Sequence, residues 1–172
     1  VASRCPCGLP DVVSTAPRLA DGTPFPTFFY VTCPRLNSAI STLESEGLMA
    51  LMQDRLAHEP DTAEAYRRAH EEYLRARQAH GQVPEIDGIS AGGMPDRVKC
   101  LHVLVGQSLA MGPGVNPFGD EALAELRRRG VLDQRQACVA VAESKYDRTG
   151  NGCGLFRQGF RPWLADLNTR QR

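Results

Sequence analysis

At Leu36 the chain changes from short extended segments to a helical hydrophobic period, and this change does most to limit the folds open to it. Before that point Asp11-Val12-Val13-Ser14-Thr15 reads as a short strand. Thr27-Phe28-Phe29-Tyr30-Val31-Thr32 reads as a stronger one, rich in β-branched and aromatic side chains. Asp21-Gly22-Thr23-Pro24-Phe25-Pro26 lies between them as a rigid turn, so the two strands are expected to form a hairpin-like unit. After that point Leu36, Ile40 and Leu43 share one helical face, with Gly47 as the C-terminal cap. Leu48, Leu51, Met52 and Leu56 mark a second short helix, and Pro60-Asp61 introduces a long one over 62–80. In the long helix Tyr66, Ala69, Tyr73 and Ala76 form the inward stripe. Glu64, Arg67, Arg68, Glu71, Glu72, Arg75 and Arg77 form a solvated face of spaced ion pairs.

Pro95 is well placed to open a fourth helix, running through Cys100 and Leu104 to Met111. It is apolar on most sides and so belongs at the centre. After the stiff loop over 112–119, Asp120 is placed to cap a fifth helix ending near Gly130. The expected fold class is α/β in the α+β sense: a short N-terminal β-hairpin-like unit packed on a helical body of about five helices. Residues 1–133 are expected to be a single globular domain and 134–172 a C-terminal extension, mobile or docked on a partner. Within the extension, 138–142 offers one further strand. From Gly154 onward four arginines face one aspartate, and Trp163 offers a large apolar surface for docking on the body or on another subunit.

With 172 residues and a 42% apolar share, the chain buries a core without disulfide or metal staples. Twenty basic and 20 acidic residues cancel, so general nucleic-acid binding is not expected and any basic site is local. No apolar run approaches the ~20 residues of a membrane span, so no membrane partner is expected. No charged-then-apolar signal segment opens the sequence, and a cytoplasmic location is the expectation. In that setting six cysteines read as thiols or metal ligands rather than as a disulfide framework.

Arg4-Cys5-Pro6-Cys7-Gly8, Thr32-Cys33-Pro34-Arg35 and Arg97-Val98-Lys99-Cys100-Leu101-His102 each set a cysteine at an element boundary beside a cation. Positive neighbours favour the thiolate, the form that binds metal or attacks an electrophile. Cys5, Cys33 and Cys100 on three segments suit an iron–sulfur cluster or zinc, with Cys7, His102, water or substrate in the fourth position. The alternative is that Cys33 and Cys100 are small buried hydrophobes. Two residues apart on a helix point to nearly opposite sides, so Cys100 and His102 share an ion only where the helix is irregular. Arg18, Arg35, Arg97 and Lys99 mark a basic pocket. The Gly92-Gly93 turn before the expected Pro95 helix start adds free amides for an anionic metabolite. His58, His70 and His80 read as surface residues. No nucleophile elbow and no paired-histidine zinc motif occurs.

The stretches around Cys5, Cys33 and Cys100, with Ala16-Pro17-Arg18-Leu19, Asp21 to Thr27, Gly92 to His102 and Gly112 to Pro117, resemble domain-of-unknown-function family 501, small actinobacterial cytoplasmic proteins. The resemblance covers residues 4–130 and implies no activity. It implies that the Cys5, Cys33 and Cys100 segments belong together, without a cysteine at position 7, and that relatives carry histidine where this chain has Gln107. The resulting expectation is a metalloprotein binding an iron–sulfur cluster or zinc through Cys5, Cys33 and Cys100, with His102 a further candidate ligand, beside a basic pocket. The alternative is a metal-free module that binds an anionic small molecule or a protein partner through the same arginines. A homo-oligomer is compatible with either.

Overall fold

The computed structural model describes residues 1–132; the expected strand over 138–142, Trp163 and the extension over 134–172 lie outside the described residues. Three antiparallel strands, β1 (Ser3–Arg4), β2 (Pro10–Ser14) and β3 (Phe29–Val31), form a sheet in the order β1-β2-β3. Five helices follow: α1 (Pro34–Ser45), α2 (Leu48–His58), α3 (Pro60–Gln78), α4 (Leu101–Met111) and α5 (Pro117–Arg128). The architecture is α+β, as the sequence suggests, with one strand more than expected. β1 is two residues long, too short to carry a periodic signal, and it is held by Ser3 opposite Val12.

The hairpin closes where the prolines and glycine lie. β2 and β3 pair Val12 with Val31, Val13 with Tyr30 and Ser14 with Phe29, and Thr15 N–H donates to Phe28 O at 2.9 Å. At the tip Leu19 N–H donates to Thr23 O, and Thr23 N–H to the Asp21 carboxylate, each at 2.9 Å. Val12 and Val31 turn into the core, where α4 crosses β3 and β2. Gly106 allows that crossing, since a β-carbon there would stand 3.3 Å from Phe29 O.

The other face of α4 meets α5 even more closely, because a β-carbon at Gly119 would lie 2.2 Å from Leu104 O. Around α4 the remaining helices supply fully buried side chains: Ile40 and Leu43 from α1, Met52 from α2, Tyr66 and Tyr73 from α3, Phe118 and Leu126 from α5. Each such side chain contributes about 1.5–3 kcal/mol by leaving water. The Tyr66 and Phe118 rings sit 4.9 Å apart, and Tyr73 meets the Phe29 ring edge-on at 5.6 Å.

Three expectations are corrected. Arg77, read as part of the solvated face, is buried: it donates to Ile89 O at 2.6 Å, Ile86 O at 2.7 Å and Pro26 O at 3.3 Å, pinning two loops to the end of α3. Three carbonyls replace a carboxylate because a cation in the last turn also meets the negative end of the helix. Asp120 does not cap α5. Asn116 does, accepting from Gly119 N–H at 2.9 Å, while the Asp120 carboxylate accepts from Gly114 N–H at 2.6 Å. Finally, α4 does not start at Pro95. Residues 92–97 form a turn in which Arg97 N–H bonds Gly93 O and Lys99 N–H bonds Gly92 O, and Val98 N–H goes to the Gln53 side chain. Gly92 and Gly93 hold φ of 78° and 92°, a left-handed conformation that starts a turn, not a helix.

Candidate metal centre

The late start of α4 decides the geometry of the site. Cys100 is the residue before the helix, in extended conformation with φ −156° and ψ 110°. His102 is the second residue inside it. The expectation that the two side chains diverge assumed that both were helical; with only His102 helical they converge, and Cys100 Sγ lies 3.9 Å from His102 Nδ1.

The third member comes from α1. Glu44 follows Ile40 by four residues, so it continues the buried stripe of Leu36, Ile40 and Leu43 to the helix end. Its Oε1 accepts from Leu101 N–H at 2.7 Å and lies 3.2 Å from His102 Nδ1. One carboxylate oxygen thus supplies the acceptor for the first amide of α4, a role normally taken by a side chain at the helix start itself. The remaining imidazole nitrogen, Nε2, lies 3.3 Å from Asn37 O. A carbonyl only accepts, so Nε2 carries a proton, and Nδ1 is the nitrogen turned toward sulfur and carboxylate.

The electrostatics follow from these contacts. His102 is pushed up to about 9, chiefly by the Cys100 sulfur, with the Glu44 charge adding and burial opposing. Near neutral pH it is an imidazolium donating on both sides. Behind it the Tyr66 hydroxyl is driven well above its ordinary value by burial, with a further push from Cys100, and donates to Arg97 O at 3.0 Å. Tyr73, pushed up to about 12 by burial, accepts from Phe28 N–H at 2.5 Å. Both phenols are neutral groups buried in the core.

Glu44, Cys100 and His102 place an oxygen, a sulfur and a nitrogen within 4.8 Å of one another, and among the described residues they are the group of three or more such side chains that can hold a metal ion. Of the residues singled out in the sequence, Cys100 and His102 therefore meet, and Cys5 and Cys33 are not in that group. Cys33 is the residue before α1 and is buried among the apolar core residues. Cys5 lies in the turn after β1, where Gly8 N–H donates to its carbonyl at 2.8 Å. Glu44 was missed. Its signal was an acidic residue at an inward helical position.

Among the cations read as a basic pocket, Arg18 forks onto both Glu85 oxygens at 2.7 and 2.8 Å, and Arg35, Arg97 and Lys99 are exposed. Residues 95–99 are not helical, so the amides invoked for an anion there are not those of a helix start. His58 and His80 are exposed as expected. His70 is half-buried, with Nδ1 2.9 Å from Ser90 Oγ, and burial lowers its proton affinity. No described helix is long and apolar enough to cross a membrane.

A family model described as a protein of unknown function, DUF501, matches residues 1–124, a span that contains Glu44, Cys100 and His102. No curated protein and no solved structure matches the chain.

Proposed function

The chain belongs to the DUF501 family, and since that membership carries no activity, we propose from its own side chains that it is a metalloprotein holding one zinc ion through Glu44, Cys100 and His102, with a fourth position open. The spacing of the donors carries this reading. Tetrahedral zinc with bonds of about 2.3 Å to sulfur and 2.0–2.2 Å to nitrogen and oxygen sets sulfur and nitrogen about 3.6 Å apart, and nitrogen and oxygen about 3.4 Å apart. The corresponding distances are 3.9 Å and 3.2 Å, each within a few tenths of an ångström of that geometry, and all three donor atoms lie within 4.8 Å of one another. His102 is held by Nε2 on Asn37 O, the outer contact that fixes a ligating imidazole. The donor set of one thiolate, one imidazole and one carboxylate suits zinc and does not suit an iron–sulfur cluster, which takes mostly thiolates. Three protein ligands and one open position are the pattern of zinc sites that activate water or polarise a carbonyl.

Without the ion the same three side chains form a charge-paired start to α4, with the imidazolium where the metal would sit. Zinc uptake therefore releases protons and falls off in acid. The metal-free alternative, an anion site built on Arg18, Arg35, Arg97 and Lys99, has less support, because Glu85 already engages Arg18.

Competition against a chromophoric chelator tests the proposal. One zinc per chain is expected, weakened at least tenfold in Cys100→Ser, His102→Gln and Glu44→Gln and unchanged in Arg97→Ala. Cobalt substitution should give thiolate-to-metal absorption that Cys100→Ser abolishes. A parent protein that takes up no zinc, or variants that bind it as the parent does, would refute the site.

A further inference from the structure

Apart from the candidate metal ligands, the loop over 89–97 carries a second pairing of chemical groups. Ser90 Oγ lies 2.9 Å from Nδ1 of His70, a residue twenty positions earlier on α3. This is the separation at which a hydroxyl passes its proton to a neighbouring base. Both side chains are half-buried, close enough to the core to be held in place and open enough for a reagent to reach. The hydroxyl has a single proton and three acceptors within range, Nδ1, Met94 O at 3.2 Å and, most distant, Ala91 O at 3.5 Å. A rotation about the Ser90 side chain selects among them.

We propose that Ser90 and His70 form a nucleophile–base pair for acyl transfer, with Ser90 Oγ as nucleophile, His70 Nδ1 as its base and a small uncharged acyl ester as substrate. The surroundings agree with each role. Burial lowers the proton affinity of His70 against the opposing charges of Glu71 and Asp96, which keeps the imidazole neutral and able to accept. The amides of Gly92 and Gly93, two and three residues beyond the serine, donate to no acceptor among the described residues. Backbone N–H groups of this kind are what an acyl oxyanion needs. Ile89, exposed beside Ser90, and Ala91 offer apolar contact to a short acyl chain.

The chemistry balances with ester and water alone. Ser90 Oγ bonds the acyl carbon as its proton moves to Nδ1. The alkoxide departs and takes that proton from Nδ1 as the alcohol. Water then attacks the acyl-serine, gives its proton to Nδ1, and the carboxylic acid leaves as Ser90 recovers the proton. No metal ion takes part, so this site is independent of the proposed zinc centre.

Labelling of the full chain with a fluorophosphonate, read by intact mass and peptide mapping, tests the pair. One equivalent is expected on Ser90, with the same rate in the presence of a metal chelator. Ser90→Ala should show none. His70→Asn, which keeps an amide nitrogen near the place of Nδ1 but has no basic atom, should label more slowly by on the order of a hundredfold or more. p-Nitrophenyl acetate hydrolysis should fall in parallel. Absence of an adduct on Ser90 in the folded parent, or an unchanged rate in His70→Asn, would overturn the proposal; should His70→Asn not fold, the parent's labelling at Ser90 alone decides, compared with its urea-unfolded form, which must label no faster than free serine.

Discussion

Glu44 has two separable duties, and two substitutions separate them. Its Oε1 accepts from Leu101 N–H, on a residue with no solvent exposure, and lies against the His102 imidazolium. Glu44→Ala removes both contacts and strands a buried donor. Stranding the Leu101 amide costs about 1–3 kcal/mol, and the lost hydrogen bond with His102 adds about 1 kcal/mol, so the total is about 2–4 kcal/mol. Glu44→Gln keeps a carbonyl oxygen for Leu101 N–H and gives up the negative charge beside His102. It loses only the charge, worth under about 1.5 kcal/mol for a hydrogen bond to a charged group that remains bonded. Equilibrium urea unfolding in the presence of a chelator, so that no ion contributes, reads both. With an m-value of about 2 kcal/mol/M, the alanine midpoint should fall by about 1–2 M and the glutamine midpoint by well under 1 M. Equal losses in the two variants would mean that the ion pair, not the cap, is what Glu44 supplies. No loss in either would refute the contact of α1 with the start of α4.

Metal-free protein should also depend on pH through His102. Its proton affinity is raised on folding, from an ordinary 6.5 to about 9, so its stabilisation is complete below about 6.5 and disappears as pH rises through 9. A tenfold change in proton affinity is worth about 1.4 kcal/mol, so with partial exposure the loss should be on the order of 2–3 kcal/mol. The pH dependence of stability in His102→Gln should lack this component, and identical profiles for parent and variant would contradict it. Gly119→Ala should destabilise by about 3 kcal/mol or more despite the better helix propensity of alanine, because the added carbon meets the backbone of α4 at Leu104 O as well as the Ser108 hydroxyl, and the backbone cannot turn aside as a side chain can; a neutral result by thermal unfolding would show that α4 and α5 are not this close. Arg77→Met should cost about 1–3 kcal/mol, because Ile89 O loses its donor while Pro26 O and Ile86 O keep only those from the Tyr73 hydroxyl and Ile89 N–H, and a surface-like effect below 0.5 kcal/mol would contradict its burial.

Much of the fold was legible because it rests on periodic signals. The stripe Tyr66, Ala69 and Tyr73 and the triplet Leu36, Ile40 and Leu43 are buried as their spacing requires. The strands flank the Pro-Gly turn, and five helices occur among the described residues. What misled was local chemistry with two readings. Pro95 suits the first turn of a helix, but the positive φ of Gly92 and Gly93 gives the preceding residues to a turn, and α4 waits until Leu101. That delay of six residues reversed the inference about Cys100 and His102, since side-chain divergence holds only when both residues are helical. Arg77 carried the same charge as its exposed neighbours, and only the loops around Pro26 and Ile86 show why it is buried. Glu44 was hidden for a different reason: its partners stand 57 and 58 residues away, a distance no periodic pattern bridges.

X-ray absorption at the zinc edge of the loaded, full-length chain tests the central claim most directly, because it reports the donor atoms themselves. One sulfur at about 2.3 Å with nitrogen or oxygen neighbours at 2.0–2.2 Å is expected, with the sulfur shell lost in Cys100→Ser. A shell of three or four sulfurs would put Cys5 and Cys33 at the ion in place of Glu44 and His102, and a shell without sulfur would remove Cys100 from the site; either contradicts a centre built from Glu44, Cys100 and His102.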